Sequence, residues 1–258
     1  MKIEQVALIT YTIRDFIQTP EDFRESMKKL AEIGYKAVQI SAMAHDVMPP
    51  EEIAAVCAEN CLTICATHEP SSMVLDEPEK VVERLRRLGT KYTAYPFPAG
   101  IDFSNPESRE KLIQQLDHSG AVLREAGLVL TYHNHANEFY KWDGKPALQH
   151  ILEQTAPGNL HFEPDTYWVQ LGGGDPVEWC QRLKGRLPLL HIKDVGVSED
   201  NLPTMHEIGA GNLDFKKIIS TAEESGCEWF IVEQDTCPGD PFESAKMSFD
   251  CIKANLID

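Results

Sequence analysis

The chain has 258 residues, and its 24 Lys and Arg against 41 Asp and Glu give a formal net charge of −17 at pH 7. That surplus of negative charge argues against nucleic acid and against an anionic membrane surface as partners, because binding either one requires a basic face. Hydrophobic residues make up 42% of the chain and charged residues 25%, which is typical of a folded protein with a large core and not of a disordered one.

Short apolar runs alternate with helical patterns throughout the N-terminal half. Four of these runs are predicted to be strands, over residues 6–9, 37–40, 62–66 and 92–95. Three helices are predicted among them, over residues 20–33, 50–60 and 78–88. The first helix carries the expected terminal signals, since Thr19 is a typical N-cap, Pro20 fits the first turn and Gly34 is suited to end the helix.

The C-terminal half repeats this alternation. Its predicted strands cover residues 128–132, 160–163, 189–192 and 229–233. Its predicted helices cover residues 105–127, 146–154, 176–183, 215–226 and 241–255. Strands that are apolar along their whole length are buried on both faces, which indicates a parallel sheet covered by helices.

Eight strand–helix units fit into 258 residues at about 32 residues each, which is the length that a βαβ unit needs. The sequence therefore predicts an α/β fold, a (β/α)8 TIM barrel, as a single domain over residues 1–258. The alternative is an open doubly wound sheet, which usually carries a glycine-rich phosphate loop after its first strand. Residues 10–15 contain no glycine, so the closed barrel is favoured.

Polar side chains follow the last four predicted strands, at the end where such a barrel carries its active site. They are His133, His135 and Glu138 after the fifth strand, Glu163 and Asp165 at the sixth, His191 and Lys193 at the seventh, and Glu233 at the eighth. Asp165, His191 and Glu233 lie at similar heights on three successive strands. Carboxylate and imidazole ligands suit a divalent ion such as Mn, Mg, Co or Zn, and clustered carboxylates would repel one another without a cation.

For further residues near these strand ends, the sequence predicts a role less specifically. Because side chains alternate along a strand, Lys193 is expected to point to the same side as His191, and either to reach a sugar oxygen or to form a structural ion pair. Asp194 is expected to point to the opposite side, and either to face outward or to cap the next turn. The candidates for lining the same mouth are His68, Glu69, Tyr95, Trp142 and Trp168.

The chain resembles the sugar phosphate isomerase/epimerase family, the xylose isomerase-like barrels. The motifs that carry this resemblance are Tyr11-Thr12-Ile13-Arg14-Asp15, Ala31-Glu32-Ile33-Gly34-Tyr35-Lys36-Ala37-Val38, Tyr132-His133-Asn134-His135, Asp165-Thr166-Tyr167-Trp168, His191-Ile192-Lys193-Asp194 and Gly209-Ala210-Gly211. They extend from the first strand to the loop before the eighth, so the resemblance covers nearly the whole chain.

The resemblance implies a divalent metal ion, with manganese preferred over Mg, Co or Zn, bound by residues on strands five to eight. Asp165, His191 and Glu233 match three of those positions. Many relatives place a Glu at the end of strand five, where this chain has His133. We expect Glu138 to reach back as the fourth ligand, because a carboxylate better balances a dication, and His133 is the alternative.

The expected function is that of an enzyme acting on a sugar or polyol carbonyl. The metal would chelate neighbouring oxygens and stabilise an enediolate, and His133, His135 or Glu163 would act as the base. Isomerisation, epimerisation and dehydration share that intermediate, so the sequence leaves all three open. The turn Gly172-Gly173-Gly174 could bind a phosphate, but a plain turn before a helix is favoured, and we expect an unphosphorylated substrate.

Two alternative functions remain. One is a metal-dependent phosphodiesterase like the related endonuclease barrels, which the charge of −17 opposes. The other is a non-catalytic, sugar-binding barrel. The seven cysteines are scattered and odd in number, and the first residues lack the apolar core of a signal peptide, so reduced thiols and a cytoplasmic location are expected. Homo-oligomerisation is left open.

Overall fold

Eight parallel strands form one curved sheet in the structure, a computed structural model that describes residues 1–257. The strands are β1 (Val6–Ile9), β2 (Ala37–Ile40), β3 (Thr63–His68), β4 (Tyr92–Tyr95), β5 (Val129–His133), β6 (Leu160–Glu163), β7 (Leu189–Ile192) and β8 (Trp229–Val232). Their order in the sheet is β6-β5-β4-β3-β2-β1-β8-β7. The predicted α/β TIM barrel is confirmed, and β1, β2, β4, β6 and β7 have the predicted bounds.

The barrel is nearly closed between β6 and β7. A single parallel bridge, between Asp165 and His191, joins the two strands. Two backbone hydrogen bonds support this seam, since Phe162 N–H donates to the Arg186 carbonyl at 2.7 Å and His191 N–H donates to the Pro164 carbonyl at 2.9 Å. The seam therefore holds two of the predicted metal ligands side by side.

Within residues 1–257, ten α-helices surround or cap the barrel. They are α1 (Pro20–Ile33), α2 (Pro50–Glu59), α3 (Ser71–Asp76), α4 (Pro78–Leu88), α5 (Pro106–Glu125), α6 (Ala147–Gln154), α7 (Thr166–Leu171), α8 (Pro176–Arg182), α9 (Phe215–Glu224) and α10 (Pro241–Asn255). The Thr19 side chain accepts a hydrogen bond from Asp22 N–H, as expected of an N-cap. Gly34 ends α1 with a φ of 124°, and a Cβ there would lie 2.6 Å from the Phe249 ring.

The inward-facing side chains change character along the barrel. Residues near the N-terminal ends of the strands are apolar and buried, among them Ala7, Ala37 and Leu189. Because side chains alternate along a strand, the next inward positions after Ala37 and Leu189 are Gln39 and His191, and both are completely buried. The apolar core thus supports a polar layer at the C-terminal ends. None of the helices within residues 1–257 combines the length and the hydropathy that crossing a membrane would take.

Candidate metal centre and active-site cavity

Four buried side chains meet at the C-terminal ends of β5 to β8. They are His133, Asp165, His191 and Glu233, and one ligand atom of each lies within 4.8 Å of those of the other three. Their exposed fractions do not exceed 5%. A second group of four meets the same distance limit and shares His133 and His191 with the first, its other members being His68 and Glu163.

The chemistry of the first group fits a bound metal ion. The Nδ1 atom of His133 and the Oδ2 atom of Asp165 are buried, and neither has a hydrogen-bond partner within residues 1–257. A buried polar atom without a hydrogen bond costs about 1–3 kcal/mol, and a bound ion is one way to satisfy it. Two imidazoles and two carboxylates are a donor set that divalent ions accept. The cluster could therefore hold a metal ion.

His191 is fixed by partners on both sides of its ring. Its Nδ1 lies 2.9 Å from Glu233 Oε2, and its Nε2 lies 2.7 Å from the side-chain oxygen of Gln39. Burial lowers the pKa of His191, but the charges of Glu163 and Glu233 raise it to about 10. A positive charge at this point therefore balances the surrounding carboxylates, and a dication would meet the same demand.

Glu138 does not join either group of four. Its carboxylate accepts hydrogen bonds from the Tyr132 hydroxyl at 3.0 Å and from His135 N–H at 2.8 Å. Burial raises the pKa of Glu138 to about 7. Of the two residues that strand five offers, the structure brings His133, and not Glu138, to the other three donors.

Glu163 lies beneath the cavity rather than in its wall. It is completely buried, accepts a hydrogen bond from the Gln39 amide at 2.7 Å and lies 2.6 Å from His68 Nε2. Burial raises the pKa of Glu163, but the facing imidazoles of His191 and His68 outweigh that effect and lower it to about 2. This ionised carboxylate holds two imidazoles in place.

Lys193 forms the ion pair that was one of its two expected roles. Its Nζ lies 2.6 Å from Asp235 Oδ1, 3.3 Å from Glu233 Oε2 and 3.5 Å from Asp165 Oδ2. Burial lowers the pKa of Lys193, but the charges of these carboxylates raise it above the usual value, so the ammonium stays charged. The side chain is completely buried.

Asp194 is buried and caps a turn instead of facing outward. Its carboxylate accepts hydrogen bonds from the N–H groups of Gly209 at 2.9 Å and Gly211 at 3.0 Å. A Cβ on Gly211 would lie 2.4 Å from Asp194 Oδ1, so this close approach requires glycine. The Gly209-Ala210-Gly211 motif therefore shapes the loop after β7.

A cavity of about 630 Å³ opens above the polar layer. His133 and Glu233 lie in its floor, and His68, Glu69 and Trp168 line it as predicted. The other two predicted lining residues do not reach it. Tyr95 is completely buried with its ring 5.4 Å from that of Tyr132, and Trp142 stacks on His150 at 4.0 Å. Among the lining residues that were not predicted are Tyr11, His45, Phe97 and Asp235, which lie beyond the ends of the strands.

His135 is an imidazole in this wall that stays neutral near pH 7. Burial lowers its pKa to about 4. Its Nδ1 atom is buried and has no hydrogen-bond partner within residues 1–257. The rings of Phe97 and Trp168 lie 5.0 Å and 5.3 Å away, so His135 is held between aromatic side chains. A neutral imidazole in this setting can accept a proton from a bound molecule.

The three-glycine turn is a structural element. The N–H groups of Gly172, Gly173 and Gly174 all donate to carbonyl groups of α7, at 2.9, 3.0 and 2.9 Å. A Cβ on Gly172 would lie 2.4 Å from the ring of Phe139, so close packing explains the small residue. The Asp175 side chain then accepts from Val177 N–H and caps α8. The plain turn is confirmed, because these N–H groups are already used.

Comparison with known proteins gives a consistent picture. Residues 27–254 match the family described as xylose isomerase-like TIM barrel. The chain is 29% identical over 153 residues to an inosose dehydratase from Lacticaseibacillus casei, a segment that covers 53% of this chain and 51% of that protein. The chain thus spans about half the length of the curated relatives it matches.

Solved structures share the whole fold. A sugar phosphate isomerase/epimerase from Parabacteroides distasonis superposes with a TM-score of 0.82 at 23% identity and covers 99% of this chain and 96% of its own. An L-ribulose 3-epimerase superposes with a TM-score of 0.76 at 14% identity, over 99% of this chain and 95% of its own. Identities this low establish a common fold and leave the reaction open.

Proposed function

The chain belongs to the xylose isomerase-like TIM barrel family, and on that premise we propose that it is a divalent-metal-dependent enzyme acting at the carbonyl of a sugar or polyol. The observation that carries the proposal is a group of four buried donors beneath a cavity of about 630 Å³. The donors in this proposal are His133, Asp165, His191 and Glu233. Manganese is the preferred ion, and His133 takes the place considered for Glu138, whose carboxylate is already hydrogen-bonded.

The proposed chemistry is removal of a proton next to the carbonyl. A bound dication would polarise the carbonyl and acidify the neighbouring C–H bond. His135 would accept the proton, because its ring is neutral near pH 7 and lines the cavity. Glu163 would hold His68 and His191 in place from below. Lys193 would keep Glu233 and Asp235 oriented rather than contact the substrate.

The proposed substrate is an unphosphorylated keto-sugar or keto-polyol. The charged residues that line the cavity, taken over residues 1–257, include Glu69, Glu233 and Asp235 but no Lys or Arg. Such a lining disfavours a phosphate group. Trp168 offers an aromatic face on which a sugar ring can stack. Because a relative is an inosose dehydratase, a cyclic keto-polyol is the first substrate to test.

The test combines metal analysis with isotope exchange. We expect the purified protein to retain a divalent metal, and to exchange substrate hydrogen with solvent deuterium when given inososes, ketoses or 3-keto sugars. Exchange next to a carbonyl would establish proton abstraction before the product is known. Isomerisation, epimerisation and dehydration would then be separated by identifying the product by NMR.

Replacing Glu233 by Gln is expected to abolish both metal retention and exchange, because it removes a charged donor from the floor of the cavity. The matched control is Glu199→Gln at an exposed position, which should leave both unchanged. Full activity in the Glu233 variant would contradict the ligand assignment. Cleavage of abasic DNA would instead support a phosphodiesterase, and failure to take up any divalent metal would favour a non-catalytic sugar-binding barrel.

A further inference from the structure

Three side chains, His45, Glu69 and Arg84, form a row at the cavity, apart from the four proposed metal ligands. His45 Nε2 lies 2.9 Å from Glu69 Oε2, and Arg84 Nε lies 3.0 Å from the same oxygen. The side chains of Glu69 and Arg84 are 2% and 8% exposed, whereas that of His45 is 36% exposed. His45 and Glu69 line the cavity, and Arg84 reaches Glu69 from α4. The row therefore ends with an imidazole at the cavity.

The charges in this row suit an imidazole that transfers protons. Burial raises the pKa of Glu69, but the contact with His45 and the charge of Arg84 lower it below its usual 4.5, so the carboxylate is ionised near pH 7. A carboxylate beside one ring nitrogen orients the imidazole. Glu69 Oε2 has no aligned hydrogen-bond donor within residues 1–257. Catalytic hydrogen bonds often tighten only when substrate binds.

The loop that carries His45 is fixed at its base. The Thr10 hydroxyl donates to the Ser41 carbonyl at 2.6 Å, and Ser41 N–H donates to the same hydroxyl at 2.7 Å. Ala42 follows with a φ of 59°, a left-handed conformation that costs a residue with a Cβ roughly 1–2 kcal/mol. Such strain persists only where surrounding contacts enforce it. His45 follows β2, three strands from the β5 that precedes His135, so the two imidazoles reach the cavity from different sides.

We propose that His45 is a second proton-transfer residue of this site, positioned by Glu69, and that it protonates the hydroxyl group that leaves when a keto-polyol is dehydrated. This inference rests on the proposed function and adds the group that completes the reaction. Without such an acid, the leaving group would have to depart as hydroxide. General acid catalysis of this kind contributes about 10²–10⁴-fold to a rate.

The proton and electron balance is as follows. His135 takes the proton of the C–H bond next to the carbonyl, and the electron pair of that bond stays on the substrate, delocalised towards the carbonyl oxygen. The pair then forms a C=C bond as the neighbouring C–O bond breaks. The leaving oxygen keeps the electrons of its bond, takes a proton from His45 and departs as water. Solvent removes the proton from His135 and returns one to His45, so the net change is the loss of one water.

The test compares two rates in the full-length His45→Ala variant with an inosose in deuterated water. Exchange of the C–H hydrogen needs His135 and the proposed metal centre but not His45, so we expect it to stay within about twofold of the wild-type rate. Product formation is expected to fall by about 100-fold, because the general acid is lost. Added imidazole should restore part of it. His118→Ala is the matched control, since His118 is exposed on α5, and should leave both rates unchanged.

Glu69→Gln tests the positioning residue. We expect this variant, like His45→Ala, to retain hydrogen exchange and to lose product formation. The fall in kcat for product should be larger than the change in KM. Equal losses of exchange and product in both variants, with no rescue by imidazole, would assign the row a structural role and overturn the inference while leaving the proposed function intact. Exchange by the wild-type protein without loss of water would also overturn it. If the wild-type protein shows neither exchange nor product with any of the sugars, the proposed function fails and this inference fails with it.

Discussion

At the scale of single residues, the buried carboxylates decide how the polar layer is held together. Glu163 is completely buried and faces His68 at 2.6 Å and His191 at 3.4 Å. An ionised carboxylate in this position is stable because imidazoles and an amide surround it, and its loss would remove one of the two carboxylates that face the His191 ring. The strength of this arrangement can be measured apart from catalysis.

Replacing Glu163 by Gln is expected to lower the free energy of unfolding by about 3 kcal/mol, because a buried ion pair loses one partner. Urea denaturation of metal-free protein is the measurement. Glu153→Gln removes an exposed pair with Lys145 and is the matched control, expected to change the value by less than about 1 kcal/mol. Equally small changes for both variants would show that the carboxylate is not needed to hold the layer.

Glu69 gives a pH dependence of defined sign. Its pKa in the folded protein lies below its usual 4.5, because the His45 contact and the Arg84 charge outweigh the effect of burial. The stability that this carboxylate contributes is therefore complete above its unfolded pKa and is lost as the pH falls through its folded pKa. We expect wild type and Glu69→Gln to differ most in unfolding free energy above about pH 5 and to converge in acid. A difference that grows as the pH falls would contradict the stabilising contacts of Glu69 with His45 and Arg84.

The sequence predicts the candidate site where strand alternation sets the side-chain direction. Asp165, His191 and Glu233 meet as expected, because each lies at the end of a strand whose register the sheet fixes. Glu138 could not be placed in this way, since it lies beyond β5 in a short helical turn, Asn137–Phe139. His45 was missed for the same reason, because the direction of a loop side chain depends on contacts far away in the sequence.

At the scale of elements, the loop after β7 depends on one close contact. The Asp194 carboxylate accepts hydrogen bonds from the N–H groups of Gly209, Gly211 and Leu213. These bonds hold the loop over residues 207–213 closed. This loop follows a hairpin formed by Asp194–Val197 and Pro203–His206. A side chain at Gly211 would press on both the carboxylate and the Val195 carbonyl.

Gly211→Ala is therefore expected to destabilise the protein by about 2 kcal/mol, since the new Cβ would lie 2.4 Å from Asp194 Oδ1 and 2.6 Å from the Val195 carbonyl oxygen. Thermal and urea unfolding would measure the loss. Gly239→Ala is the control, because nothing lies within 4 Å of a Cβ there. If both substitutions behave alike, the loop can rearrange around the aspartate.

The strands and the longer helices were predictable because their signals are local. Short apolar runs gave β1 to β8, and Pro, Thr and Gly marked helix ends such as those of α1. The elements that were not predicted are short. They include α3, α7, the hairpin of Asp194–Val197 and Pro203–His206, and a second hairpin of Lys141–Trp142 and Lys145–Pro146. An isolated six-residue helix such as α7 is unstable in water, so tertiary contacts decide whether it forms.

At the scale of the whole molecule, the proposed metal ion would join the two edges of the barrel. Asp165 follows β6 and His191 lies on β7, and the two strands are joined by one bridge instead of a regular ladder. A shared ligand at this seam would bind the folded chain and not the unfolded one. Metal binding is therefore expected to stabilise the fold by linkage.

Adding Mn²⁺ to protein stripped with EDTA is expected to raise Tm by roughly 5–10 °C at a metal concentration about 100 times Kd. Such binding contributes about 2.7 kcal/mol, and each kcal/mol shifts Tm by roughly 2–4 °C in a chain of this size. Calorimetry would measure the shift. The Glu233→Gln variant should show almost none, and an equal shift in that variant would place the ion elsewhere.

The side-chain amide of Gln39 determines which ring nitrogen of His191 carries the hydrogen. Its NH₂ group donates to Glu163, so its oxygen is the atom that faces His191 Nε2. An amide oxygen only accepts, so Nε2 must carry the hydrogen. In the neutral tautomer the lone pair is then left on Nδ1, directed towards Glu233. A side chain of equal size without an amide would fill the same space without this contact. In the proposed metal centre, β2 would thus select the ligand atom of His191, a residue 152 positions away.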